Sequence, residues 1–84
     1  MWVYGAAVLN AGSNDTNSTV AILLKTCDGL PFNERWFVAA KNSRKEMLAT
    51  ALAAMAAAKS VNADFSKLDE WSPIDQLLMT RFPV

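Results

Sequence analysis

Few side chains in this 84-residue chain could support catalysis or metal binding, because it contains no histidine and only one cysteine. Four carboxylates, Asp64, Asp69, Glu70 and Asp75, lie close together in the sequence. A calcium loop would need oxygen ligands at alternating positions around a glycine turn, and these residues do not have that pattern. Without histidine, the commonest general base and metal ligand is missing. We therefore predict that the protein is not an enzyme and has no metal site and no cofactor, and we interpret the carboxylates as solvated charges.

The single cysteine, Cys27, has no histidine that could activate it as a nucleophile, and it cannot form an internal disulfide. We expect an inert, partly buried thiol, as is usual in a cytoplasmic protein. Residues 1–10 lack the basic start of a secretory leader, and no apolar run is long enough to span a membrane. Asn14 and Asn17 each begin an N-glycosylation pattern, which loop composition explains better without such a leader. The sequence thus predicts cytoplasmic localisation and no membrane partner.

The aromatic side chains are better candidates for binding. We expect that they are too numerous to fit together inside so small a domain, so at least one lies outside the core. It could be partly exposed under a loop, buried between subunits, or stacked against a sugar ring or a base. Because the formal net charge is zero, a nucleic-acid partner is disfavoured. The candidate stacking residues are Trp2, Tyr4, Trp36, Phe37 and Trp71.

One long helix is predicted over residues 43–59. Ser43 and Glu46 have the spacing of a capping box, and Lys59 would lie in the last turn, where a cation suits the helix dipole. A helical projection puts Met47, Leu48, Ala51, Leu52 and Met55 on one side, and we expect the four larger residues to enter the core. The opposite side carries Ala49, Thr50, Ala53, Ala54, Ala56 and Ala57.

That second side has no charge, and two explanations remain open. It could be a lightly solvated alanine surface, or it could pack closely against a second chain, because small residues let backbones approach. The candidate oligomer interface consists of Ala49, Ala53, Ala56 and Ala57.

Strand patterns flank the helix on both sides. They cover residues 2–11, 19–26, 35–40, 61–65 and 74–82, and a polar loop, 12–18, joins the first two as a hairpin. In the first strand, Gly5 is typical of a bulge or a tight bend. In the second, Val20, Ile22 and Leu24 share one face. In the fourth, Val61, Ala63 and Phe65 alternate with polar residues.

The element order is therefore β-β-β-α-β-β in one domain, residues 1–84. It predicts a mostly β protein with one helix, an OB-fold-like five-stranded barrel whose end is closed by the helix. The alternative is an α+β arrangement, in which one antiparallel sheet packs on one helix.

The second half of the chain, residues 43–80, also resembles a known group of proteins. LATALAAMAAAKSVNADF, a short acidic loop and WSPIDQLLM are similar to segments of small OB-fold proteins related to the B subunits of bacterial AB-type toxins. Relatives of that group occur among uncharacterised products of mobile gene cassettes. The resemblance implies a barrel that assembles into rings or dimers, with sugar binding in the toxin case. Toxin B subunits are secreted and generally hold an internal disulfide, whereas this chain has one cysteine, so no sugar-contacting residue is carried over.

Two functions follow as expectations. The first is a non-enzymatic module that forms a homo-oligomer, with the alanine face or an edge strand in the contact. The second is a module that binds an oligosaccharide or single-stranded nucleic acid on exposed aromatics.

Overall fold

The computed structural model of the protein describes residues 1–14 and 19–84. Its elements are β1 (Trp2–Asn14), β2 (Thr19–Lys25), β3 (Glu34–Ala39), a 3-10 turn (Lys41–Ser43), α1 (Arg44–Ala57), β4 (Lys59–Phe65) and β5 (Pro73–Pro83). The predicted element order, mostly β with one helix, is confirmed.

The five strands form one sheet in the order β1-β2-β3-β5-β4, and β1 also pairs with β4, so that the sheet closes on itself. Neighbouring strands are antiparallel except β3 and β5, which run parallel over the pairs Val38–Pro73 and Ala39–Ile74. From β3 the chain passes through α1 to β4, which lies beyond β5 in the sheet. It then returns antiparallel to β4 as β5, and this places β5 parallel to β3. The alternative of a purely antiparallel sheet on one helix is therefore wrong.

A bulge in β1 lets this strand serve two neighbours. Its first part pairs with β4 and its second part with β2. The register shifts between Val3 and Ala6, where Gly5 has a φ of 69° and its N–H donates to the Asn62 side-chain oxygen at 3.0 Å. The bend expected at Gly5 is confirmed, and the left-handed backbone explains why glycine occupies the position.

The core lies inside the closed sheet and beneath the helix. The predicted half-buried pattern of β4 is confirmed, since Val61, Ala63 and Phe65 are buried. In β2 the buried face is that of Val20, Ile22 and Leu24, which the sequence had grouped on one side without assigning it to the core. At the centre, the rings of Phe37 and Phe65 are 4.4 Å apart, and Phe32 lies 5.2 Å from Phe37. These three phenylalanines thus form one aromatic cluster within the core.

The orientation of α1 differs from the predicted one. Met47, Ala51 and Ala54 are buried, and Leu48 is partly buried against the core. Leu52 and Met55 were expected in the core but are 46% and 39% exposed. The physical reason is that α1 packs on the sheet through the narrow line Met47, Ala51 and Ala54, spaced four and three residues apart, and Leu52 and Met55 lie to the sides of that line.

Both predicted helix ends are corrected as well. Ser43 lies at the N-cap position but its side chain makes no capping hydrogen bond, because it belongs to the preceding 3-10 turn, where its N–H donates to the Ala40 carbonyl. The helix ends at Ala57, and Ala58 has a left-handed φ of 53°. Lys59 is the first residue of β4, and its ammonium donates to the Arg81 carbonyl at 3.1 Å.

Candidate binding surfaces

A stacked pair of indoles lies on the outside of the sheet. Trp36 of β3 and Trp71 of the β4–β5 loop have ring centroids 5.7 Å apart and an interplanar angle of 11°. The backbone N–H of Trp71 donates to the Trp36 carbonyl at 2.7 Å, so the loop is hydrogen-bonded to β3. Trp71 is 54% exposed, so one face of its ring is available to a ligand.

The backbone at Trp71 is strained, with a φ of 70°. A bulky residue in this region costs of order 1–3 kcal/mol, and such positions concentrate at functional sites. A second hydrogen bond joins the same loop to β3, since the Arg35 guanidinium donates to the Leu68 carbonyl. Two hydrogen bonds and the ring contact therefore fix an exposed tryptophan in a conformation that it would not adopt alone.

Phe37 does not belong to this surface. It follows Trp36 in β3 and points to the opposite side, where it is completely buried among the core phenylalanines. A ring without solvent access cannot stack on a ligand, so Phe37 is removed from the candidate stacking residues. The expectation that at least one aromatic lies outside the core is met by Trp71 and Tyr4, both exposed.

The remaining candidates, Trp2 and Tyr4, stack on each other at 6.2 Å near the start of β1. Among the described residues, no ring contact joins this pair to Trp36 or Trp71. Trp2 is half-buried and Tyr4 is exposed. The structure thus divides the predicted stacking residues into two separate pairs and a core residue.

Tyr4 borders an open groove of about 790 Å³, which we call the β5 groove. It is formed by the start of β1, the end of β2, β4 and the C-terminal half of β5. Its large apolar side chains are Leu78, Met79 and Phe82, all exposed. Sequence reasoning did not identify this groove. The signal for it was the run Leu77–Met79, which places apolar residues on both faces of one strand.

The polar groups of the β5 groove are few. The Ser60 and Thr80 hydroxyls are 2.6 Å apart and hydrogen-bond to each other, and both reach the Phe82 carbonyl. Asn62 accepts the hydrogen bond from Gly5. The charged side chains that line the groove are Lys25 and Arg81.

The outer face of α1 is the third surface. Ala49, Ala53, Ala56 and Ala57, predicted to lie outside the core, are exposed, whereas Ala54, predicted beside them, is buried. Leu52 and Met55 join the exposed alanines. Thr50, the only polar residue from Met47 to Ala58, is half-buried and donates to the Glu46 carbonyl at 2.9 Å. The face turned to solvent is therefore apolar over its whole length from Ala49.

The carboxylates do not converge on a site. Asp64 binds the amino terminus at 3.2 Å, and Asp75 accepts a hydrogen bond from Ser66 at 2.7 Å. Within residues 1–14 and 19–84, no group of three or more histidine, cysteine or acidic residues is placed to hold a metal ion. Cys27 is exposed, which corrects the expectation of a partly buried thiol. The Asn14 side chain and Asn17, where the glycosylation patterns begin, lie outside the described residues.

The described part of the chain contains no helix that is both long and apolar enough to cross a membrane. Comparisons with protein-family models, with curated proteins and with solved structures give no match to this chain. The interpretation of its surfaces consequently depends on their geometry and chemistry.

Proposed function

We propose that the protein is a non-enzymatic module on an OB-fold-like barrel that self-associates through the outer face of α1. The barrel assignment is supported by the strand order, by the pairing of β1 with both β2 and β4, and by the position of the helix between β3 and β4. The resemblance of residues 43–80 to small OB-fold proteins agrees with this assignment.

The observation that carries the self-association is that Thr50, half-buried, is the one polar side chain of α1 between Ala49 and Ala58, while the exposed side chains there are apolar. A surface helix ordinarily presents charged residues to water, and a helix that is apolar all round is usually buried. Leu52 and Met55 are well exposed in the single chain, although large aliphatic residues gain about 1.5–3 kcal/mol on full burial. Covering this face would remove that unfavourable hydration.

A second copy of the same helix fits this face well. Ala49, Ala53 and Ala56 follow a spacing of four and three residues, so they form a shallow line along about 10 Å of helix. Small side chains there allow two helix axes to approach to the low end of the usual 8–10 Å. In a two-fold contact, the same patch is used by both copies, and an uncharged patch meets no like-charge repulsion with itself.

The contact we propose is modest in size. One helix from each copy buries less than the 1,200–2,000 Å² of a standard stable interface. We therefore expect a dissociation constant on the order of 10 μM, which corresponds to about −7 kcal/mol. Sedimentation velocity from about 1 to 200 μM covers the transition from monomer to dimer at that affinity.

The variant that tests this contact is Ala53→Glu. In a two-fold dimer it buries two unpaired carboxylates, so we expect the dissociation constant to rise at least about 100-fold, or roughly 3 kcal/mol. Asn42→Glu is the matched control because it adds the same charge at an exposed position before the helix. A protein that stays monomeric at about 200 μM would contradict the proposal, and so would a dimer unaffected by Ala53→Glu.

A second candidate function is favoured by the Trp36–Trp71 pair. In OB-folds, the face of strands 2 and 3 and the β4–β5 loop bind oligosaccharides and oligonucleotides. Trp36 lies on β3 and Trp71 in that loop, with a strained backbone and an open ring face. An oligosaccharide is the better ligand, because the zero net charge supplies no excess of cations for phosphates.

Tryptophan fluorescence during titration with a glycan panel and with short single-stranded oligonucleotides tests this second function. Trp71→Ala should abolish a response, whereas Trp2→Ala, at the other aromatic pair, should preserve it. If no ligand changes the fluorescence of the unmodified protein, the binding function is wrong. Neither result bears on the dimer, which sedimentation measures separately.

A further inference from the structure

The β5 groove shares no residue with the outer face of α1 or with the Trp36–Trp71 pair. Its volume of about 790 Å³ falls within the 300–1,000 Å³ of typical small-molecule sites. Such sites are mainly apolar and contain a few polar groups that orient the ligand. The groove has the same composition, with Tyr4, Leu78, Met79 and Phe82 as its large side chains.

The charged side chains that line the groove have one sign. Lys25 and Arg81 are its charged lining side chains, and no aspartate or glutamate lines it. Among the described residues, neither cation has a carboxylate within ion-pair distance, although Glu34 lies directly opposite Lys25 in the β2–β3 register, and the Arg81 guanidinium lies over the Phe82 ring at 5.2 Å. The Lys59 ammonium, bonded to the Arg81 carbonyl, adds a third cation at this end of β5.

This local charge contrasts with the chain as a whole, which has eight basic and eight acidic side chains. An unpaired cation beside an apolar surface attracts an anion more strongly than one in open water, because the neighbouring low-dielectric surface weakens screening. The Ser60 and Thr80 hydroxyls are hydrogen-bonded to each other, so the two cations are the main groups that attract a charged ligand.

Beyond the self-association proposed above, we infer that the β5 groove binds a single-chain anionic amphiphile, with an aliphatic tail over Leu78, Met79 and Phe82 and a carboxylate head at Lys25 and Arg81. The tail loses contact with water along the apolar side chains. The head forms charge-assisted hydrogen bonds with the two cations. No chemical step is involved, and the protein acts as a binding site only.

Isothermal titration calorimetry with decanoate, below the concentration at which it forms micelles, tests this inference. Decanoate should bind one site per chain, and decyltrimethylammonium, with the same tail and the opposite charge, should bind at least about tenfold more weakly. Affinity should rise up to about fourfold for each methylene from octanoate to dodecanoate. It should also fall as the salt concentration increases.

The double variant Lys25→Glu/Arg81→Glu reverses the charge of the groove, and we expect it to weaken decanoate binding at least tenfold. Lys45→Glu/Lys67→Glu is the matched control, since it makes the same change in net charge at exposed positions that do not line the groove. Circular dichroism establishes that both variants remain folded. Leu78→Asn should weaken binding, whereas Leu52→Asn on the helix should leave it unchanged.

Equal binding of the anion and the cation, no binding of decanoate, or equal effects of the two double variants would overturn the inference. A second copy of the chain is the competing occupant, and it would appear as a dimer broken by Lys25→Glu/Arg81→Glu with no decanoate binding. The Ala53→Glu variant separates the two proposals, because Ala53 does not line the groove. It should lose the dimer and keep its decanoate affinity.

Discussion

Ala58 is the residue at which the chain turns directly from α1 into β4. Its φ and ψ are 53° and 43°, a left-handed conformation that glycine usually occupies at a helix C-terminus. Its N–H is directed at the carbonyls of Ala54 and Met55, and its own carbonyl accepts from the Val84 N–H at 3.1 Å. These contacts fix the backbone, so the alanine has no opportunity to relax into a right-handed conformation.

The substitution Ala58→Gly should stabilise the protein. A left-handed alanine costs roughly 1–2 kcal/mol because Cβ crowds the following carbonyl oxygen, and glycine removes that cost. Glycine also gives the unfolded chain more freedom, which costs about 0.4–1 kcal/mol of stability. The difference is a gain of about 0.5–1 kcal/mol in the free energy of unfolding.

Urea denaturation followed by circular dichroism measures this gain. The control is Ala56→Gly, which makes the same change two residues earlier, inside the helix, and should destabilise by about 1 kcal/mol. Both belong in the Ala53→Glu background, so that dimer formation does not contribute to the measured stability. If Ala58→Gly destabilised the chain as much as Ala56→Gly, then Ala58 would not be left-handed and the helix would continue through it.

Three further substitutions test other parts of the fold by the same urea measurement. Gly5→Ala should cost about 1–2 kcal/mol. The cost comes from the positive φ alone, because an added Cβ at Gly5 meets nothing within 4 Å. Gly12 is equally uncrowded but has no positive φ, so Gly12→Ala should be neutral or stabilising. Phe37→Ala should cost about 3–5 kcal/mol as a core deletion; a smaller effect than that of Trp71→Ala would disprove its central position. Thr26→Val should cost about 1–3 kcal/mol because the buried Thr26 hydroxyl donates to the Phe32 carbonyl. Thr50→Val removes the bond from the half-buried Thr50 hydroxyl to the Glu46 carbonyl, and it should change stability by less than about 0.5 kcal/mol.

Local patterns predicted the strands well where one side of a strand was polar or consistently apolar. Alternation in β4 identified Val61, Ala63 and Phe65 as core residues, because Asn62 and Asp64 mark the outer side. The predicted loop 12–18 began too early, because β1 continues through Asn14 and pairs with β2 there, while residues 15–18 lie outside the described part of the chain. The order of the elements was nevertheless readable from the chain.

The helix shows why the same reasoning failed elsewhere. From Met47 to Ala58 it has one polar residue, Thr50, so a helical projection contains almost no information about which side is wet. Size was then the only guide, and it placed Leu52 and Met55 inside. In the structure the helix packs instead through Met47, Ala51 and Ala54.

The candidate sites depended on tertiary structure in a similar way. Composition indicated a surplus of aromatics, but it could not say which ring is buried, and only packing separates Phe37 from Trp36 and Trp71. The β5 groove combines residues from β1, β2, β4 and β5, which are distant in the chain. The apolar run Leu77–Met79 signals an exposed apolar face on β5, but the residues that complete the groove come together only in the fold.

The sequence by itself determined the element order, the inward face of β4 and the bend at Gly5, because these depend on neighbouring residues and on local backbone preference. The tertiary structure decided the sheet closure, the parallel β3–β5 pair, the orientation of α1 and the cations beside the apolar β5 groove. These features depend on which distant segments meet and on how much space is left between them. Only the folded chain specifies both.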